Sequence, residues 1–238
     1  MCRTGITGWF PDRHAGEGLP EPPEVQSVEG SPEPPEVQSG GYLRRVTFAA
    51  VVLAGGAGRR LGGAVKPLLA VEGTALLSRV LASAAAARPL IVVGPDQLRP
   101  LLPEGVALTS EQPPGGGPVA AIRAGLELVP PGTSTVAILA ADLPFLTPGT
   151  LSTLRLALDA GEFDVAVLLD AAGRRQNLLA CWHVGALRAA LSLTTSAAVR
   201  DLLAQVRVAP VVLESGQLPP WFDCDTPEEL AEARRLAS

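Results

Sequence analysis

Lysine is almost missing from this 238-residue chain: eighteen of the nineteen Lys plus Arg residues are arginine, and Lys66 is the only lysine. Aromatic residues make up only 4%. There are two histidines, His14 and His183, which leaves little for a Ser–His or Cys–His nucleophilic pair. The three cysteines, Cys2, Cys181 and Cys224, are far apart and lack metal-type spacing. An odd, unpatterned set points to a reducing, cytoplasmic setting. No run approaches the roughly 18 apolar residues of a membrane span. The start, MCRTGITGWFPDRHAGEG, holds no apolar stretch of the signal-peptide kind. Positive charge is short too. A net charge of −5 argues against bulk attraction to nucleic acid or an anionic membrane. Phosphates, if handled, need a local site or a metal ion.

What is present is apolar and small: 47% of residues are hydrophobic, enough for a sizeable core. Residues 1–45 stand apart. They carry PEPPEVQS twice, at 20–27 and 32–39. Proline fixes φ and lacks a donor, and the acidic residues repel, so the segment buries too little to offset its ordering entropy. The expectation is a disordered Pro/Glu-rich tail, the alternative a partner-binding arm. Residues 46–238 form the expected domain.

In that domain apolar runs alternate with helical patterns. VTFAAVVLAG, PLIVVG, STVAILAAD and DVAVLLD read as buried strands; TALLSRVLASAAAA, GPVAAIRAGLELV and TPGTLSTLRLALDAG read as helices. Pro118 and the Thr147–Pro148 pair are start signals for the last two. Continuous apolar strands interleaved with helices predict an α/β fold with a mostly parallel, Rossmann-like three-layer sheet. Such sheets bind ligands at the carboxyl ends of their strands, here Gly55 onward, Gly94, Asp142 and Asp170.

Three strand-end segments carry chemistry. The first is LAGGAGRRLGGAVKP. It is not a Walker A loop, because Pro67 rather than Ser or Thr follows Lys66. Nor is it the dinucleotide fingerprint, because Leu61 stands where a third glycine is required. Gly55, Gly56 and Gly58 let the backbone approach a ligand, and Arg59, Arg60 and Lys66 add positive charge. An ammonium is a compact point charge that can follow a shifting phosphate. An ordinary solvated GG turn is the plainer reading. The second segment is LAADLPFLTP. Asp142 follows a strand too apolar to be exposed, where a carboxylate needs a partner or a metal. Mg²⁺ suits one or two carboxylates plus substrate phosphates; a turn cap before Pro144 is the alternative. The third is SEQPPGGGPVAAIRAGL, where Glu111 and the glycines ending at Gly117 precede a helix start able to face an anion.

Together these segments resemble the molybdenum cofactor guanylyltransferases, within the nucleotidyltransferases of the glycosyltransferase-A type. LAGGAGRRLGGAVKPLL is similar to the family's nucleotide loop, GPVAAIRAGL to its Gly-Pro helix start, and AADLPFL to its metal-binding segment. RRQNLLACWH is similar to a strand facing the acceptor, and FDCDTPEELAEAR to the closing segment. The resemblance implies transfer of a nucleoside monophosphate, GMP from GTP, to a phosphate-bearing acceptor, molybdopterin, with release of pyrophosphate. It implies a nucleotide site of Leu53, Ala54, Gly55, Gly56, Gly58, Lys66, Glu111 and Gly117. Arg59, Lys66 and Asp142 would be catalytic, Asp142 and Asp225 would hold Mg²⁺, and Gln176 and Asn177, the chain's only asparagine, would contact the acceptor. A cofactor-accepting enzyme is the implied downstream partner. An acceptor phosphate needs no Ser–His pair, and His183 reads as a strand-end residue.

Departures set further expectations. Val65 stands where the family often has Asp, which leaves Lys66 less neutralised. Asp223 and Asp225 compete for the role of second carboxylate. Lys66→Ala and Asp142→Ala are each expected to lose orders of magnitude in turnover with stability near wild type. The alternatives keep the fold and change the acceptor or nucleotide (a sugar phosphate, or CTP), or lose catalysis to leave a nucleotide-binding regulator.

Overall fold

Phe48–Leu53 forms β1, all six residues buried, in the computed structural model, which describes residues 48–55, 65–213 and 218–238. The tail expected over residues 1–45 lies outside the described residues. The remaining strands are β2 (Ala70–Val71), β3 (Thr74–Ala75), β4 (Leu90–Val93), β5 (Ala107–Thr109), β6 (Thr135–Ala140), β7 (Val165–Leu169), β8 (Arg175–His183) and β9 (Val208–Val211). The helices are α1 (Leu76–Ser83), α2 (Gly117–Glu127), α3 (Pro148–Asp159), α4 (Val184–Leu193), α5 (Val199–Leu203) and α6 (Pro227–Ala237).

Seven strands make one sheet in the order β5-β4-β1-β6-β8-β7-β9. β1 pairs in parallel with β4 and β6, β4 with β5, and β7 with β9. β8 is antiparallel to both β6 and β7, so it alone reverses. The mostly parallel three-layer α/β architecture is as expected. The reversal was not legible: a continuous apolar run has no direction.

Strand pleat divides the interior into two cores. Phe48, Ala50 and Val52 face one side, with α1 and α3; Ala49, Val51 and Leu53 face the other, with α2, α4 and α5. Alternate side chains point to opposite faces, so a strand buried on both sides reads as apolar throughout. At Gly125 of α2 an added Cβ would lie 2.4 Å from Val51 Cγ1, so only glycine lets this helix approach β1 so closely. The helix ends are satisfied across elements. Arg188 of α4 donates to the carbonyls of Leu126 and Val129, both at 3.2 Å, and Arg123 of α2 donates to those of Leu191 and Thr194.

A third, smaller core holds Val71, Leu76, Phe145, Cys224, Leu230 and Ala233. It docks α6 against the β2–β3 hairpin, where Arg234 Nε also donates to the Ala70 carbonyl at 3.0 Å. The hairpin trims the expected helix at Thr74. Glu72 (φ 48°) and Gly73 (φ 73°) both turn left-handed, the conformation of a tight two-residue hairpin turn. α3 begins as expected, with Thr147 Oγ1 accepting from Thr150 N at 3.1 Å and Pro148 following. No element was assigned from sequence to β2, β5, β9, α4, α5 or α6.

Candidate active site

Lys66 starts a 3-10 turn, Lys66–Leu68, whose buried Pro67 fixes the backbone and whose C-cap Leu69 N donates back to Lys66 O at 3.0 Å. Leu69 O in turn accepts the first N–H of α1, from Leu76, at 2.8 Å. The lysine is thereby fastened to a helix rather than carried on a free loop. Asp142 follows β6 by two residues, and Ala141 N donates to Leu53 O at 3.1 Å, tying the tips of β6 and β1 together. Asp225 immediately precedes the α6 N-cap. There Thr226 and Glu229 form a reciprocal capping box, with Thr226 N to Glu229 Oε2 at 2.8 Å and Glu229 N to Thr226 Oγ1 at 3.2 Å. The third core buries Cys224 next door and presents Asp223 and Asp225 outward, as an extended segment must.

These three segments meet. The Lys66 ammonium pairs with Asp142 Oδ2 and with Asp225 Oδ1. The side chains of Lys66 and Asp142 are each only 16% exposed, while Asp225 is 47% exposed. Burial works against the charged ammonium, but Asp142 and Asp225 outweigh it and hold the Lys66 pKa above its ordinary 10.5. This corrects the expectation drawn from Val65: two carboxylates distant in sequence neutralise Lys66 without an acidic neighbour. Asp223 lies beside the cluster. Its pKa is raised by burial first, then by repulsion from Asp225 and Asp142, which Lys66 offsets only in part. Between the two aspartates the buried Cys224 thiol is pushed up to about 12, mainly by desolvation, so it stays protonated and inert.

Among the described residues, the buried Asp142 Oδ1 has no hydrogen-bond partner. Such an oxygen is costly unless a cation or donor meets it. Among the described residues no three His, Cys, Asp or Glu groups are grouped to hold a metal. The donor set therefore suits a hard divalent cation that takes one or two carboxylates here and its other oxygens from a phosphate ligand.

A cavity of about 530 Å³ opens beside this cluster. Asp142, Asp223 and Asp225 line it on one side, and Arg175, Gln176, Asn177 and Trp221 elsewhere. Gln176 and Asn177 stand at the start of β8, which because of its reversal lies at the same sheet edge as the carboxyl ends of β1 and β6. His183 closes the other end of β8, roughly 20 Å away at about 3.3 Å per residue. Trp221 and Arg175 were missed in sequence, although proximity to FDCD and to Gln176 was an available signal.

The remaining candidates lie toward β1. Leu53 and Ala54 are buried at its tip, with Ala54 N on Val93 O at 2.8 Å, and Gly55 is exposed. A Cβ on Gly55 would lie 4.0 Å from both carboxylate oxygens of Glu111, so Glu111 faces the opening of the glycine loop. Glu111 Oε1 also accepts from Gly115 N at 3.2 Å. Gly117 takes φ +83° at the start of α2, a conformation that side chains disfavour, and a Cβ there would press to 3.2 Å from Ala197 Cβ. Gly94 is required by crowding: its Cβ would meet Leu98 Cδ1 at 2.9 Å and Ala54 O at 3.1 Å. Gly56, Gly58 and Arg59 lie outside the described residues.

Residues 50–211 match the MobA-like NTP transferase domain family. The molybdenum cofactor guanylyltransferase of Bradyrhizobium sp. (strain ORS 278) is 33% identical over 195 residues, covering 79% of this chain and 92% of that protein. That of Mesorhizobium japonicum is 30% identical over 204 residues, covering 81% and 97%. Among solved structures, molybdopterin-guanine dinucleotide biosynthesis protein A from Archaeoglobus fulgidus superposes with a TM-score of 0.64 at 23% identity, over 79% of this chain and 98% of that one. The 2-C-methyl-D-erythritol 4-phosphate cytidylyltransferase of Thermus thermophilus reaches 0.58 at 20% identity, over 80% and 98%. Among the described residues no helix is long and apolar enough to cross a membrane.

Proposed function

This chain belongs to the MobA-like NTP transferase domain family and is a nucleotidyltransferase, and from that premise we propose that it transfers GMP from GTP to molybdopterin, releasing pyrophosphate, with Mg²⁺ as its metal. The observation that carries the reading is the meeting of Lys66, Asp142 and Asp225 beside the cavity at the carboxyl ends of β1 and β6. The relatives' names supply GTP and the cofactor acceptor. Enzymes of this family generally use a divalent metal.

The work of the chain is placement and charge. The β1 tip, from Leu53 to Gly55, and Glu111 hold the nucleotide on one side of Asp142. Lys66 exchanges its carboxylate partners for the triphosphate oxygens and follows the departing pyrophosphate. Asp142, through the orphaned Oδ1, and Asp225 hold the metal. When bound, that ion neutralises charge on the phosphate oxygens. Gln176 and Asn177 orient the acceptor in the cavity. A phosphate monoester is already anionic near neutral pH, so no general base is needed, in keeping with the distant His183. Rate enhancement then comes from alignment and electrostatic stabilisation. Arg59 is assigned to the triphosphate from its position in the motif.

The test is pyrophosphate release from GTP and CTP in parallel, each with molybdopterin and with sugar phosphates. The expected result is magnesium-dependent release with GTP and molybdopterin, reduced by at least about a hundredfold in Asp142→Asn. Turnover with CTP or a sugar phosphate in preference to that pair would overturn the assignment. Tight GTP binding without release on any acceptor would mark a regulator instead.

A further inference from the structure

Asp170 closes β7 and is only 7% exposed. Its Oδ1 accepts the backbone N–H groups of Ala172 and Arg174, each at 2.9 Å. Its Oδ2 accepts Arg174 Nε at 2.8 Å and Gln176 Nε2 at 3.2 Å. The backbone N–H of Arg174 is the main influence that keeps this carboxyl below its ordinary 3.8, against the opposing effect of burial, so it is ionised near neutral pH. An ionised carboxylate has no proton to give, so all four bonds run one way.

The consequence falls on Gln176. A primary amide has a donating end and an accepting end. One of the two amide N–H groups is given to Asp170, which sets the nitrogen on that side and leaves Oε1 as the unpaired acceptor. Among the described residues nothing donates to that oxygen. Gln176 lines the cavity of about 530 Å³ that also holds Asp142 and Trp221. The direction of the amide is thus settled by chemistry: reversing it would set two acceptors against each other at 3.2 Å.

We infer that Asp170 is a positioning residue that fixes the Gln176 amide with its carbonyl toward the cavity, so that the acceptor side selects a ligand bearing an N–H donor, such as the amide edge of a pterin. The choice of pterin rests on the function proposed above; the demand for a donor rests on the hydrogen bonds alone.

Asp170→Asn isolates the effect. The asparagine Oδ1 still accepts both backbone N–H groups and keeps the turn. Its NH₂, in place of Oδ2, cannot accept from Gln176, so the glutamine amide turns over and presents its own NH₂. The Arg174 side chain, already 80% exposed, is free to move into solvent. The probes are pterin and N3-methylpterin, titrated by fluorescence against the full chain. Wild type is expected to bind pterin at least about tenfold tighter than the methylated form, which loses the N3–H donor of that edge and sets a methyl group in its place while keeping the exocyclic amine. Asp170→Asn and Gln176→Met should each lose that preference, and the double variant should add nothing further. With molybdopterin as substrate, both variants should raise its KM while leaving the KM for GTP unchanged. Absence of discrimination in wild type, or its persistence in either variant, would overturn the inference. Gln176→Met alone decides the matter should Asp170→Asn fail to fold by circular dichroism. Pterin discrimination without GMP transfer would sink the proposed function and spare the inference; transfer without discrimination would do the reverse.

Discussion

Lys66→Ala separates a structural role from a catalytic one. The lysine sits on two carboxylates, and the pairs differ in burial: Lys66 and Asp142 are 16% exposed, Asp225 47%. Breaking a buried pair by removing one partner costs roughly 3–5 kcal/mol, and an exposed pair contributes about 0–1 kcal/mol. Neither pair is fully buried, so the combined loss lies between these limits, at about 2–3 kcal/mol. At roughly 2–4 °C per kcal/mol for a domain of this size, Tm falls by about 4–12 °C in EDTA. The near-wild-type stability expected from sequence alone is therefore revised, because that expectation took Lys66 to face ligand only. The vacated seat between Asp142 and Asp225 then suits a metal. Magnesium at about a hundred times its Kd would return roughly 2.7 kcal/mol. Thermal unfolding in EDTA and in magnesium, without nucleotide, should show a gain of several degrees for the variant and a smaller one for wild type. Turnover should stay lost in both media, because the cation cannot replace the mobile ammonium on the triphosphate. A variant melting within about 1 °C of wild type in EDTA would refute the reasoning.

Two further outcomes are expected. Gly125→Ala should destabilise by about 1–3 kcal/mol although alanine is the better helix former, because its Cβ would lie 2.4 Å from Val51 Cγ1; adding Val51→Ala should recover part of the loss in thermal melts. Asp164 is held below its ordinary 3.8, chiefly by hydrogen bonds from the Arg207 side chain and backbone. A lowered carboxylate pKa adds stability above about pH 4 that is lost as pH falls through the folded value. Asp164→Asn should therefore flatten the acid limb of Tm against pH, and an unchanged slope would contradict it.

The local code was readable where one segment determines its own outcome. Thr147 and Pro148 start α3 wherever that helix packs, and Pro118 likewise marks the start of α2. The apolar runs at 48–53 and 135–140 required strands covered on both faces, since an open face would have shown alternation. Short or plain segments were harder. β9 and α5 span four and five residues, too few for a period to emerge, and β3 was hidden at the start of a helix-like run that follows the Glu72–Gly73 turn. The direction of β8 was hidden because Leu178–Trp182 is apolar in either sense.

By itself the sequence determined which residues carry charge into an otherwise apolar architecture: one lysine in a glycine turn, one aspartate after a buried strand, two aspartates in the closing segment. It did so because hydrophobic period and capping chemistry act over a few residues. Only the tertiary structure decided that Lys66 meets Asp142 and, across 159 positions, Asp225, and that Gln176 gives an amide N–H to Asp170. Strand order brings the β1 and β6 tips together, and a small third core delivers Asp225. A carboxylate that can only accept leaves the glutamine amide one orientation. Those are contacts between distant segments, set by packing and electrostatics in three dimensions.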